Sequence, residues 1–246
     1  MILGAGSILL CLISGCIDVP TKRATYEEEL SIHCLLRTDT GPSDVYVERT
    51  LDINAPELGV AISGATVRLS GDGRELIFVE DYYRPGAYVA PAQFLIHHGS
   101  TYTLEVTDPI GRTVRATTTV PGYFQILSPA FNDTVQLGRD VHFSWTASEG
   151  AERYIAHVTI DLYEDDSISE TIFLSYVLSD TTLIIPTERI PVRGHCWINI
   201  YAVDSNYAGY TRADAEDPDD LDVNHIPGAK GVFGSASTTF CFFYID

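Results

Sequence analysis

The stretch "DAEDPDDLDVNH", Asp214 to His225, gathers six carboxylates, Asp214, Glu216, Asp217, Asp219, Asp220 and Asp222, into nine residues. Hard oxygen donors of this kind suit Ca²⁺, which takes about six to eight of them. The spacing is not that of an EF-hand, because the glycine of the sharp turn and the bidentate glutamate that closes the cage are missing from their positions. A solvated acidic loop is therefore the expected state. No cofactor is expected, and Ca²⁺ is the one ion the stretch would suit. Tyr207 and Tyr210 stand just upstream. A tyrosine ring is apolar and its hydroxyl polar, a combination that serves a sugar or a protein partner equally. The two tyrosines and the six carboxylates together form the expected binding surface.

Other chemistry-bearing sets are poorer. His97 and His98 in "FLIHHGSTY" could help hold a metal. Adjacent residues on an extended chain point to opposite sides, however, and no Cys or third His follows nearby to complete a tetrahedral site. A solvated turn is expected there and no metal. The sequence has no "GxSxG" elbow, "HExxH" helix, "SxxK" or "GxxxxGKS/T" loop. No catalytic residues are expected, and the chain reads as a non-enzyme.

Cys16 carries a different chemistry. In "LLCLISGCIDVPTKR", Leu9 to Arg23, an apolar run ends at a cysteine, and every charged side chain of the protein lies beyond Gly15. A helix over 1–15 would reach roughly 22 Å, short of the ~30 Å hydrocarbon core. A signal-peptide apolar region fits better. The residues "ISGC" resemble the lipobox of bacterial lipoproteins: a branched apolar residue, two small residues and the modified cysteine. The resemblance implies that Cys16 receives diacylglycerol, that residues 1–15 are removed, and that the new amine is acylated. Several acyl chains, at ~0.8 kcal/mol per buried CH₂, make a stable anchor. The segment departs from the pattern in lacking Lys or Arg ahead of the apolar run, and an ordinary secretory signal is the competing reading.

Composition narrows the partners. Thirty-four Asp and Glu against fifteen Lys and Arg give a net charge of −19. So acidic a chain repels phosphate backbones, and nucleic acid is not an expected partner. The mature length suits two β-sandwiches of about 100 residues each. Beyond Cys11 and Cys16 only Cys34, Cys196 and Cys241 remain, an odd number that cannot form a complete disulfide framework.

The elements that would position these residues are strands. Alternation of period two runs through nearly the whole chain, and sustained helical periodicity is almost absent. In "GATVRLSGDGRELIFVED", Ala65, Val67 and Leu69 share one face, "GDG" turns the chain, and Leu76 and Phe78 face inward on the return strand. Tyr102, Leu104 and Val106 continue the core side in "STYTLEV", and Asp108 to Gly111 make a turn. Pro121 and Gly122 form a joint. Beyond it Val141, Phe143 and Trp145 alternate, and Tyr154 opens the next strand. This pattern resembles a fibronectin type III-like module, in which a strand-B Trp and a strand-C Tyr pack together. "CWINIYAVDSNYAGY" is similar to the penultimate strand of such a module and "GVFGSASTTFCFFYID" to the last. Trp145 and Trp197 are expected to pack in the core or along a strand. Cys196 and Cys241 then fall on neighbouring strands, where both pack as small buried thiols; a disulfide between them is the alternative.

The expected fold class is all-β: two tandem antiparallel Ig-like or fibronectin III-like sandwiches after a cleaved lipoprotein signal. The expected organisation is a signal peptide over 1–15, a lipidated N-terminus and linker over 16–29, an Ig-like sandwich over 30–121, and a fibronectin III-like sandwich over 122–246 with an acidic loop at 204–230. From Leu30 to Ile245 the layout resembles a family of predicted outer-membrane lipoproteins of Gram-negative bacteria, of unknown function. "SGATVRLS", "PGAYVAP" and "STYTLEV" carry the likeness and are also similar to carboxypeptidase-regulatory-like domains. "GAKGVFGSAS", with Gly228, Gly231 and Gly234, is the more specific stretch. The resemblance implies a lipid-anchored outer-membrane protein, periplasmic or surface-facing, with a non-catalytic binding or assembly role accessory to an uptake receptor. Its alternative is a carbohydrate-binding surface lipoprotein. The expected partners are the membrane, through the anchor, and a receptor or a glycan.

Overall fold

The structure, a computed structural model, describes residues 27–51, 60–164, 167–216 and 226–246. The signal segment and Cys16 lie outside the described residues. Strands dominate, as the alternation predicts, and three sheets form two sandwiches. Inward residues on the alternating stretches are buried as expected: Val67, Leu69, Leu76, Phe78, Tyr102, Leu104 and Val106 in one core, and Val141, Phe143, Trp145, Tyr154, Cys196 and Phe243 in the other. Burying one such Val, Leu or Phe side chain is worth about 1.5–3 kcal/mol. The hairpin between Thr66–Gly71 and Arg74–Ile77 turns on Asp72 and Gly73, with φ of 53° and 69°. Two left-handed residues give the turn whose twist matches that of paired strands.

The sheets are joined by one strand. The C-terminal strand Ala229–Ile245 is 17 residues long. Its first half pairs in parallel with Leu30–Arg37, from Leu30 opposite Ala229 to Arg37 opposite Ala236. Its second half pairs antiparallel with Gly194–Val203, from Val203 opposite Ala236 to Gly194 opposite Ile245. One sheet therefore runs from Val79–Glu80 through Ala87–Val89, Val45–Arg49 and Leu30–Arg37 into the bridging strand. It continues through Gly194–Val203 and Arg153–Glu164 to the edge strand Ser167–Leu178. The four-stranded sheet of Thr113–Thr119, Thr101–Thr107, Thr66–Gly71 and Arg74–Ile77 covers its first end. The three-stranded sheet of Ile126–Ser128, Val141–Trp145 and Thr182–Ile185 covers the other.

This arrangement corrects the expected boundary. Ile226, Ala229 and Phe233 belong to the first core together with Ile32, Leu36 and Val45, so a segment assigned to the second sandwich completes the first. Parallel pairing between segments some 200 residues apart leaves no local trace in the sequence. A second correction concerns the expected loop 204–230, whose first part, Ser205–Glu216, is an α-helix. Its start signal is Asp204. The Asp204 carboxylate accepts the Tyr207 N–H at 3.0 Å, and its carbonyl accepts the Ala208 N–H at 3.0 Å, which is N-cap geometry. Only Ala208 is fully buried among the described side chains of the helix, so no apolar stripe announced it.

Candidate functional site

Of the expected binding residues, Tyr207 and Tyr210 fall at the junction between the sandwiches. Tyr207, half-buried, packs with Val203, Ala208 and Ala236 in a small apolar cluster. Tyr210 sets its ring edge-on to His33, with centroids 5.6 Å apart. Asp214 and Glu216 belong to the last turn of the helix, while Asp217, Asp219, Asp220 and Asp222 lie outside the described residues. Tyr207 and Tyr210 are thus brought together on one helix, against the bridging strand and the strand Leu30–Arg37.

Asp204 is the centre of that junction. Its carboxylate, 5% exposed, accepts the Thr118 hydroxyl at 2.5 Å and the Ser235 N–H at 3.1 Å as well as the Tyr207 N–H. The Thr118 and Ser235 hydroxyls lie 2.7 Å apart. Asn206 adds two bonds, its side-chain amide donating to the Thr117 carbonyl at 2.9 Å and the Phe233 carbonyl at 3.0 Å. These contacts tie the helix to both sheets of the first sandwich. A polar cleft of about 500 Å³ opens beside them, lined by Thr117, Thr119, Glu149, Asp204 and Asn206.

Two glycines of "GAKGVFGSAS" have their explanation here. Gly231 has φ +95°, and a β-carbon on it would stand 2.2 Å from the Ile32 carbonyl oxygen, inside the parallel ladder. A β-carbon on Gly234 would stand 2.8 Å from that of Tyr207 and 3.1 Å from the Asp204 carboxylate. One glycine lets two strands pair; the other lets the helix dock.

The histidine pair sits at a turn, where the His97 carbonyl accepts the Ser100 N–H at 3.3 Å, and its two rings find different partners. His97 Nδ1 meets the Asp72 carboxylate, and His98 Nδ1 lies 2.8 Å from the Ser237 hydroxyl. Among the described residues no three His, Cys, Asp or Glu converge as metal ligands. Cys34, Cys196 and Cys241 are free and buried. Cys196 faces Phe243 across the ladder and Cys241 faces Ile198, so the two thiols are diagonal neighbours rather than a directly opposed pair.

One surface went unremarked in the sequence. The outer face of the long sheet in the second sandwich carries His195, Trp197 and Tyr201 from one strand, Phe240, Phe242 and Tyr244 from the bridging strand, and Phe173 and Val177 from the edge strand. Phe173, Phe240 and Phe131 are 75%, 64% and 59% exposed. Six rings form a connected set: Trp197 to Phe242 at 5.1 Å, Phe242 to Tyr244 at 4.9 Å, His195 to Tyr244 at 5.0 Å, Phe131 to Phe242 at 6.4 Å and Phe131 to Phe240 at 6.1 Å. Phe173 and Val177 stand beyond the strand Arg153–Glu164, which carries His157, Thr159 and Asp161 on this face. The signal was present in "CWINIYA" and "FCFFYI", whose outward positions, Asn199 excepted, are aromatic instead of charged. The opposite outer face, on the four-stranded sheet, is ordinary by comparison. It carries Thr101 bonded to Thr119 and Thr107 to Thr113, each at 2.9 Å, with Arg115 paired to Glu105.

None of the curated proteins matches the chain. Among solved structures it is similar to the calcium-binding domain CBD12 of CALX1.1, at 10% identity over 88% of this chain and 99% of that one, with a TM-score of 0.26. It is also similar to the FN1–FN3 domains of chicken CNTN1, at 11% identity over 71% and 60% of the two chains, TM-score 0.31. A two-domain fibronectin type III segment of chicken tenascin shares 9% identity over 73% and 93%, TM-score 0.23. Similarity this distant carries no argument about activity. The profile described as "Domain of unknown function (DUF4249)" matches residues 17–237, and the chain belongs to that family.

Proposed function

We propose that the protein is a lipid-anchored component of the bacterial outer membrane, held through Cys16, with a non-catalytic binding role accessory to an uptake receptor. The observation that carries this reading is the outer face of the second sandwich. Aromatic side chains here stand on the solvent side of a sheet in a protein whose net charge is −19. Soluble domains rarely expose a contiguous apolar patch of this kind without a partner for it. Aromatic residues concentrate at the energetic centres of protein interfaces. The bridging strand adds mechanical sense, since a sheet continuous through both sandwiches presents the face on a stiff support. The polar clusters of the described residues are built into folding contacts, as at Asp204 and His98, which supports binding over catalysis.

The experiment is affinity capture from crosslinked outer membranes. The intact protein is expected to co-purify with an integral outer-membrane receptor, and Phe173→Ser combined with Phe240→Ser is expected to abolish that capture while leaving the fold intact. Cys16→Ser should release the protein from the membrane fraction. Capture unaffected by the double substitution, or an unmodified Cys16 thiol in the membrane-extracted protein, contradicts the reading.

A further inference from the structure

At one end of the aromatic face, where the strands Arg153–Glu164, Gly194–Val203 and Ala229–Ile245 meet the short strand Thr134–Val135, lies a cleft of about 370 Å³. Its walls carry Thr134, Tyr163, Arg193, His195, Tyr244 and Asp246. The ladder fixes their placement. Thr134 stands opposite Tyr244, and His195 lies between Asp161 and Tyr244 in register. The Tyr163 N–H donates to the Arg193 carbonyl at 3.0 Å, and the Asp246 N–H to the Val135 carbonyl at 3.0 Å. Tyr163 Oη lies 3.0 Å from His195 Nδ1, and the two rings are 4.8 Å apart.

The composition of this cleft selects its ligand. Three hydroxyls can each donate or accept, Arg193 only donates, and the Asp246 carboxylate only accepts. A ligand that is donor and acceptor at every position, with an apolar face for the rings, matches this set. One arginine beside one carboxylate, in so acidic a chain, does not attract a polyanion. A purely apolar ligand would bury the Thr134 and Tyr244 hydroxyls and the Asp246 carboxylate without giving them partners. From His195 the aromatic surface continues to Trp197 at 6.1 Å and Phe242 at 5.5 Å, so a ligand longer than the cleft has a second platform beside it. We infer that the cleft binds a neutral sugar ring of a glycan, with Tyr163, His195 and Tyr244 against the ring, Arg193 and Asp246 on its hydroxyls, and the next unit over Trp197 and Phe242. The inference goes beyond receptor docking and stands whether or not a receptor binds the neighbouring phenylalanines.

The test is affinity electrophoresis of the mature protein in gels containing laminarin, yeast mannan, xylan or dextran, with polygalacturonate as the anionic comparison. At least one neutral polysaccharide is expected to retard the protein. Tyr244→Ala is expected to weaken that binding about tenfold, the loss of one ring contact and one hydrogen-bonding group. Tyr163→Phe removes only a hydroxyl, keeps the packing, and should weaken it by a smaller factor, while Thr113→Ala on the opposite outer face should leave it unchanged. No retardation by any neutral polysaccharide, retardation by polygalacturonate alone, or full binding by both Tyr244→Ala and Tyr163→Phe would each overturn the assignment. Receptor capture measured with Tyr163→Phe separates the two readings, because docking through Phe173 and Phe240 predicts that capture survives.

Discussion

Replacing Gly231 by alanine strikes the point where the two halves of the protein are joined. Gly231 sits opposite Ile32 in the parallel ladder, in a left-handed conformation, with the Ile32 carbonyl 2.2 Å from where the new β-carbon would be. The conformation alone costs a residue with a side chain roughly 1–2 kcal/mol. The carbonyl cannot rotate away like a side chain, so the strand Leu30–Arg37 must separate locally from the bridging strand. Two or three ladder bonds are then lost at about 1 kcal/mol each. Alanine restricts the unfolded chain and returns about 0.4–1 kcal/mol. The net expectation is a loss of about 2–5 kcal/mol, a large share of the ~5–15 kcal/mol that holds a domain folded. Equilibrium urea unfolding measures it. Gly234→Ala offers the contrast, because its close neighbours are Tyr207 and Asp204 and the strain falls on the helix. Hydrogen exchange there should accelerate over residues 205–216 and change little in the strand Leu30–Arg37. A Gly231→Ala protein within about 1 kcal/mol of the parent would refute the steric reasoning and with it the account of why this motif is glycine-rich.

Three further outcomes follow from the same geometry. Asp204→Ala removes a helix cap, strands the Ser235 N–H and leaves the Thr118 hydroxyl with only the Ser235 hydroxyl as partner, so urea unfolding should show a loss of about 2–4 kcal/mol; a loss below about 0.5 kcal/mol refutes the role given to it. Burial alone would raise the Asp108 carboxyl, but its bonds to the Arg112 guanidinium and to the Arg112 and Ile110 N–H groups outweigh burial and hold it below the usual value. The unfolded state therefore takes up the proton first, so this contribution is complete above about pH 4 and is lost as pH falls through the lower folded value. Asp108→Asn should flatten the acid limb of a melting-temperature profile, and an unchanged slope counts against it. Burial pushes the Cys34 thiol up to about 12 and raises those of Cys196 and Cys241 as well. A thiol reagent at mildly alkaline pH should label none of the three until the protein is unfolded, and peptide mapping without reductant should find Cys196 and Cys241 unlinked.

Much of the fold can be read locally. Val67 and Leu69, the Asp72-Gly73 turn, and Trp145 followed by Tyr154 each follow from alternation, turn chemistry or spacing within a few residues. Trp145 and Tyr154 do pack together, with centroids 5.5 Å apart. What escaped the sequence is non-local. Nothing near Ala229 indicates that Leu30–Arg37 will pair with it, and the helix at Ser205–Glu216 has a cap but almost no apolar stripe. The aromatic face escaped for a related reason. Alternation places Trp197 opposite in direction to Cys196, and Phe242 to Phe243, yet only the ladder between their strands brings Trp197 beside Phe242 and His195 beside Tyr244. The expected site at Tyr207 and Tyr210 drew on a general preference for end loops, whereas both residues sit on a helix packed at the joint.

Site-specific photocrosslinking in intact cells tests the central claim most directly. A photoreactive phenylalanine placed at Phe240, and separately at Phe173, should join the protein to an integral outer-membrane receptor. The same group at Thr113, exposed on the outer face of the opposite sheet, should not. Receptor adducts from Phe240 and Phe173 alone are the predicted result. No adducts from either position, or equal adducts from all three, would contradict the account.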